Sequence, residues 1–183
     1  MARNGYLMLG GRLGGETGKG GTMADSLRGV AGEIFDPQNL DHSVEEVLQM
    51  MLGTHCRREE TPAPPEAEWI TAVVGLGGSL SGACVFRSGG TAACRLAARM
   101  TGMEFDSLDD MVKDAVGEIC NMLAGSWKSK VPELSARCGL SVPAVITGRD
   151  YRLHVQDPEF VLRRVYAFDD GCFEVTILCD GIQ

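Results

Sequence analysis

The stretch from Ser107 to Lys130 is the feature that most restricts how this chain folds. Its apolar residues recur at three- and four-residue spacing, which is typical of a helix with one buried face. Ser107 and Asp110 fit a capping box at the start, and Pro132 ends the pattern. The residues expected on the buried face are Val112, Ala115, Ile119, Met122 and Leu123. A helix of this length needs a partner layer for that face, and the rest of the chain must supply it.

Strand patterns on both sides of this helix indicate that the partner layer is a sheet. Trp69 to Leu76 and Gly82 to Phe86 are apolar runs around a glycine-rich turn, so they predict a hairpin. Further strands are predicted near Val145, at 151–155, at 160–168 and at 172–178, with a hairpin turn at 169–171. A helix from Asp41 to about Gly53, and a short one capped by Thr91 and closed by Gly102, complete the order. The fold class predicted is α+β, with long helices packed on an antiparallel sheet.

The first 24 residues differ in composition from the rest of the 183-residue chain. Residues 1–24 are rich in glycine and are expected to form a flexible leader, and Met23 is a possible alternative initiator. Residues 25–183 are long enough for one domain with a substantial core. We therefore expect a single domain at 25–183.

Composition excludes several classes of function. A net charge of −8 and a pI near 4.9 argue against nucleic acid as a partner, because binding to the phosphate backbone depends on lysine and arginine. No apolar run is long enough for a transmembrane helix, and no signal-peptide pattern is present, so we expect a cytoplasmic protein without membrane insertion. The seven cysteines are scattered without a C-x-x-C pair and are expected to be reduced and mostly buried. Nothing in the sequence predicts a metal or cofactor held by the chain itself.

Smaller patterns give local expectations. Arg57 to Glu60 fits a solvated helix end, and Trp127 fits a core position. Met50 and Met51 follow helical spacing and are expected in the core. His55 and Cys56 are adjacent, so their side chains diverge on a helix and a metal pair is not expected.

The polar face of the long helix carries the candidate chemistry. Asp114, Glu118, Asn121 and Gly125 are three or four residues apart, so they lie on one helical face and project together. Glycine inside a helix costs about 1 kcal/mol relative to alanine, so Gly117 and Gly125 need a reason. Close approach of another backbone is one, either from the chain's own sheet or from a partner protein. The simpler alternative is that Glu118 and Asn121 are only the solvated side of an amphipathic helix.

The larger pattern resembles a known signature. Asp114, three residues, Glu118, two residues, Asn121, then Pro143 after twenty-one residues is similar to the signature of the CheC/CheX/FliY chemotaxis phosphatases. In that signature the last gap is about twenty-two residues, so this chain departs by one. A single copy is visible, which is closer to CheX than to the two-site CheC type. The resemblance covers roughly residues 39 to 183.

The resemblance implies a function and roles for two residues. It implies hydrolysis of the phosphoaspartate on a CheY-like response regulator, which would bring its own Mg²⁺ and a lysine. Asn121 would orient the attacking water, and Glu118 would pair with the regulator's lysine; these two are the expected catalytic residues. The resemblance also implies a homodimer that pairs through its sheets. It assigns no chemical role to Asp114.

Two other functions remain open on the sequence. The chain could be a non-catalytic module that binds a receiver domain or another signalling protein. The presence of both Glu118 and Asn121 favours catalysis, because a degenerate member is expected to lose one of them. A small-ligand sensor built on the same sheet is the least supported of these functions, since no pocket pattern is visible in the sequence.

Overall fold

The structure is a computed structural model of the chain. It describes residues 31–149, 151, 153–154, 158–169 and 171–182. The leader predicted at residues 1–24 lies outside the described residues.

Five helices occur in the part of the chain that the structure describes. They are α1 (Ala31–Ile34), α2 (Pro37–Leu52), α3 (Gly90–Thr101), α4 (Asp110–Ser129) and α5 (Pro132–Ser135). The predicted ends at Gly53 and Gly102 are confirmed, since both glycines have a positive φ, 59° and 73°, and cap the helices before them. The long helix also ends as predicted, with Lys130 as its cap just before Pro132.

Seven strands in the described ranges form one antiparallel sheet. They are β1 (Arg57–Glu59), β2 (Trp69–Gly78), β3 (Leu80–Gly89), β4 (Cys138–Leu140), β5 (Ala144–Gly148), β6 (Phe160–Phe168) and β7 (Gly171–Ile182). Their order is β1-β6-β7-β3-β2-β4, and β5 also pairs with β2. Both β4 and β5 therefore lie along the same edge of β2, one at each end of it.

The core lies between the helices and one face of the sheet. Strands β2 and β3 contribute alternate residues such as Val74 and Phe86, and α4 contributes Ile119, Leu123 and Trp127, all fully buried. The predicted α+β class is confirmed, and so is the core position of Trp127. Four of the five residues predicted on the buried face of α4 are buried, and Met122 is half-buried at its margin.

Three predicted helix starts are wrong. The helix predicted from Asp41 begins at Pro37, and Asp36 caps it by accepting a hydrogen bond from the Gln38 N–H at 3.0 Å. The cap of α4 is Asp109, whose carboxylate accepts a hydrogen bond from the Val112 backbone N–H at 2.9 Å, and not a capping box of Ser107 and Asp110. Thr91 does not cap α3, because β3 leads directly into that helix through Gly89. A Cβ at position 89 would lie 2.3 Å from Cγ of Glu66, so a side chain there would require the Glu66 side chain to move.

Several expectations outside the helix ends are also wrong. Arg57–Glu59 is the edge strand β1, paired with β6, because long-range pairing overrides the local pattern. The described residues of 151–155 are not in a strand. Met50 and Met51 are exposed at 72% and 47%, because the buried stripe of α2 runs through Leu40, Val44 and Leu48.

No disulfide joins the seven cysteines, all of which lie within the described residues, and five of them are buried, which confirms that they are mostly internal. The hydrogen bond with the neighbouring thiol of Cys120, followed by burial, raises the pKa of Cys84 well above its ordinary value. No described helix has both the length and the apolar character needed to cross a membrane.

Candidate functional site

Glu118 and Asn121 lie on the outer face of α4, as the spacing predicts. Glu118 is exposed and Asn121 is half-buried, and Asp114 is exposed one turn earlier on the same face. Within the described residues, neither the Glu118 nor the Asn121 side chain has a hydrogen bond or an ion pair. The acid and the amide are therefore both available to a group that approaches from outside.

The sheet holds α4 in position through its buried face and through a contact at the start of β5. A Cβ at Gly117 would be 3.3 Å from Cγ2 of Val145 and 3.4 Å from Cβ of Pro143, so the helix backbone contacts the start of β5 directly. This contact lies one residue before Glu118. Of the two reasons considered for glycine in this helix, the chain's own sheet accounts for Gly117.

A polar cluster fixes the second half of α4 to α2. Glu46 of α2 accepts hydrogen bonds from Lys130 at 2.7 Å and from Ser126 at 3.0 Å. The hydrogen bond from Lys130 holds the pKa of the Glu46 carboxyl below its ordinary value. On the other flank, Lys128 donates to the carbonyl oxygen of Cys138 in β4. Together with the Asp109 cap, these contacts hold the helix that presents Glu118 and Asn121.

The lysines on and just after α4 have partners other than Glu118. Lys113 forms an ion pair with Asp110 at 2.9 Å, and this neighbour lowers the pKa of the Asp110 carboxyl. Lys128 donates to a carbonyl oxygen, and Lys130, the C-cap, has Glu46 as its partner, so no lysine of this helix or its cap neutralises the charge of Glu118. A cationic group on a partner is the natural complement to it.

The pair lies on an open helix surface and not in a cleft. One groove of about 810 Å³ runs between α3 and the loops beside it, and is lined by residues such as Glu68, Arg95 and Phe105. A second of about 810 Å³ lies on the sheet, lined by Trp69 and Arg87 among others. Neither groove includes Glu118 or Asn121. A helix face outside these grooves suits a macromolecular partner better than a small substrate.

Sequence reasoning did not find the groove on the sheet. In it, the Arg87 guanidinium lies 4.0 Å from the centre of the Trp69 ring, and the Tyr151 hydroxyl is 2.6 Å from Oγ1 of Thr71. Its lining comes from strands far apart in the sequence, so no local signal could have predicted it. The described residues contain no group of three or more His, Cys, Asp or Glu side chains placed to hold a metal ion.

Comparison with known proteins places this helix in a family. The profile of the family described as "Chemotaxis phosphatase CheX" matches residues 70–163, about half of the chain. That segment contains Glu118, Asn121 and Pro143. The chain belongs to the CheX family. The resemblance found in the sequence is thereby confirmed.

Individual relatives agree with the family. The chain is 33% identical over 115 residues to the "CheY-P phosphatase CheX" of Thermotoga maritima, and the match covers 61% of this chain and 74% of the relative. Among solved structures, a CheX from Desulfovibrio desulfuricans matches with a TM-score of 0.66 at 23% identity, over 80% of this chain and 99% of that one. A CheX–CheY–BeF3–Mg²⁺ complex from Borrelia burgdorferi matches with a TM-score of 0.63 at 21% identity, over 79% and 98%. The two structural matches show that the fold is that of CheX.

Proposed function

We propose that this protein removes the phosphoryl group from the aspartate of a CheY-like response regulator, in chemotaxis or a related two-component pathway. The observation that carries the proposal is the pair on α4: an acid and an amide, three residues apart, unpaired and accessible on a fixed helix within the CheX-matching segment. The relatives support it, since the Thermotoga protein is named as a CheY-P phosphatase and the Borrelia CheX was crystallised with CheY.

Asn121 positions the water in this mechanism. Its amide oxygen accepts a hydrogen bond from the water, and its N–H donates to a phosphoryl oxygen, at any pH near neutrality. The water oxygen forms a bond to phosphorus while the bond from phosphorus to the aspartate oxygen breaks. Inorganic phosphate leaves, the receiver's aspartate remains as a free carboxylate, and the protons of the water pass to the phosphate or to solvent. Acyl phosphates are already reactive, so positioning contributes most of the acceleration.

Glu118 positions the partner. Its carboxylate is exposed and has no cation beside it on α4, so it is available to the lysine of the receiver's active site. Such an ion pair fixes the register in which Asn121 enters the site. Glu118 therefore acts through docking and not as a general base.

The metal in this mechanism belongs to the partner. The receiver domain brings Mg²⁺, which neutralises charge on the phosphoryl oxygens when bound. This chain contributes no cofactor of its own. The alternative of a non-catalytic receiver-binding module requires the same docking face but no acceleration.

We also propose the setting in which this reaction occurs. The catalytic domain spans residues 25–183, and the protein acts in the cytoplasm, where response regulators are phosphorylated. Two copies pair through their sheets, with one site in each copy. The outer edge strand β5 supports this pairing, because Ile146 is 40% exposed there and Val142 just before it is 85% exposed.

The experiment follows the loss of phosphate from receiver domains of the source organism. Each receiver is loaded from a small-molecule phosphodonor with Mg²⁺, the donor is removed, and the remaining phosphoprotein is measured over time with and without this protein. We expect faster decay for at least one receiver. Binding without faster decay would favour the non-catalytic module, and no effect on any receiver would overturn the proposal.

A further inference from the structure

The two glycines of α4 have different surroundings. Gly117 lies against the sheet, where a Cβ would contact Val145 and Pro143 at 3.3 and 3.4 Å. At Gly125 the nearest described atom to a Cβ would be Cδ1 of Leu140, at 4.0 Å, which is an ordinary contact distance. Packing within the described protein thus explains the first glycine and leaves the second unexplained.

Backbone conformation does not explain Gly125 either. The described glycines with a positive φ are Gly53, Gly78 and Gly102, so Gly125 has a φ that any residue adopts in a helix. Alanine in this position would favour the helix, because glycine is a poor helix former. A side chain is therefore absent where the molecule itself has room for one and would be more stable with one.

Gly125 lies on the face that carries the proposed chemistry. It follows Asn121 by four residues and Glu118 by seven, which are one and two turns of helix, so all three project in nearly the same direction. Gly125 is also partly exposed. The bare backbone of α4 is open to the exterior next to the two residues assigned to the receiver.

We propose that Gly125 is the point where the receiver domain comes closest to α4, and that the missing side chain sets how deeply Asn121 enters the receiver's site. This inference rests on the proposed function and adds a positioning residue to it. A side chain at 125 holds the two proteins further apart, and an error of about 1 Å in the position of a reacting group reduces rates strongly. Leu140, half-buried beside Gly125, forms one wall of the approach.

The test compares Gly125→Ala and Gly125→Leu with the wild type in three measurements: thermal unfolding, receiver affinity, and the decay of receiver phosphate at increasing protein concentration. We expect Gly125→Ala to melt at a temperature equal to or above the wild type. We expect the half-saturating concentration to rise roughly tenfold for alanine and further for leucine, and the maximal decay rate to fall in the same order. The melting temperature is then retained or raised while receiver affinity falls. A glycine needed only for internal packing would not give this combination.

Two controls separate docking from general effects. Gly117→Ala changes the same residue type in the same helix but against the sheet, so it is expected to affect stability. Val161→Ala removes apolar surface from β6, where the side chain is 51% exposed and lines the groove on the sheet, and is expected to change none of the three measurements.

Three results would overturn the inference. A loss of stability in Gly125→Ala that accounts for the loss of affinity would show that the glycine serves internal packing. Unchanged receiver affinity and kinetics in Gly125→Leu would show that no close approach occurs there. Altered self-association with unchanged receiver kinetics would assign the glycine to contact between two copies.

Failure of the proposed function gives a different pattern. If the wild type binds receivers but does not accelerate decay, catalysis is excluded, and the direct affinities of the Gly125 variants still decide the inference. If the wild type binds no receiver, both the proposed function and this inference are wrong.

Discussion

At the residue scale, Glu118 and Asn121 have different proposed roles: Glu118 docks the receiver, and Asn121 positions the attacking water. Both side chains are unpaired within the described protein, so replacing either leaves no group behind without its partner. Substitutions at these two positions should therefore change function with little change in stability. Their effects should differ in kind, since one acts on affinity and the other on the rate of the bound complex.

Glu118→Gln keeps the size of the side chain and removes its charge. We expect the concentration for half-maximal dephosphorylation to rise roughly tenfold, with the maximal rate changed much less. Because the lost interaction is an ion pair, wild-type affinity should fall with added salt more steeply than that of the variant. The measurement is the dependence of decay rate on phosphatase concentration at two ionic strengths.

Asp114→Asn is the matched control for that charge. Asp114 is exposed on the same face, one turn away, and has no assigned role. The substitution should leave the concentration for half-maximal dephosphorylation and the maximal rate near their wild-type values. Equal losses of receiver affinity in Glu118→Gln and Asp114→Asn would show that Glu118 contributes only as part of a general acidic surface.

At the element scale, α4 depends on contacts that hold its position. Asp109 caps it through the Val112 N–H, and Gly117 lets it lie directly on the start of β5. Because these contacts are inside the protein, their loss should lower stability and leave the chemistry of the folded molecules intact.

Asp109→Ala tests the cap. We expect the free energy of unfolding to fall by about 1 kcal/mol, because the first turn of α4 loses a hydrogen-bond acceptor. Asp109→Asn keeps an acceptor oxygen and should retain most of the stability. Chemical denaturation measures both, and the phosphatase rate per folded molecule should match the wild type in each.

Gly117→Ala tests the contact with the sheet. A methyl group there gains helix propensity but meets Val145 and Pro143 at under 3.5 Å. We expect this variant to be less stable than Gly125→Ala by about 2 kcal/mol, since only the buried site is overpacked. Equal stability of the two would contradict the packing described here.

The helices and hairpins were predictable because their signals are local. Gly53, Gly102 and Pro132 mark helix ends in the sequence itself, and the alternation in β2 and β3 is visible there. Strands β1 and β4 are three residues each and exist through pairing with β6 and β2, which the local pattern does not encode. The start of α4 was misplaced because Ser107 and Asp109 are both acceptable caps.

The candidate site was predictable for the same reason. Helical spacing alone places Glu118, Asn121 and Gly125 on one face, and the structure keeps them there. The contact of Pro143 with Gly117 was not predictable, since it joins residues 26 positions apart through tertiary packing. Spacing also could not tell which glycine faces the sheet and which faces outward.

At the scale of the whole molecule, the helices cover one face of an antiparallel sheet and the family match covers residues 70–163. The function assigned to α4 therefore requires the sheet and its neighbouring helices as support. The glycine-rich residues 1–24 are not part of that support in our proposal.

A protein that begins at residue 25 tests the proposed domain boundary. We expect it to unfold at the same temperature as the full chain and to accelerate receiver dephosphorylation equally. Thermal unfolding and the decay assay measure the two properties. A lower melting temperature, or a slower decay at equal concentration, would show that the first 24 residues belong to the functional unit.

The most direct test of the account is the decay of phosphorylated receiver at saturating concentrations of wild type and of Asn121→Ala. Saturation removes differences in affinity, so only the step within the complex is compared. We expect the variant to bind the receiver with near wild-type affinity and to lose about a hundredfold or more of the acceleration. Full acceleration by Asn121→Ala would contradict the claim that the amide on α4 positions the attacking water.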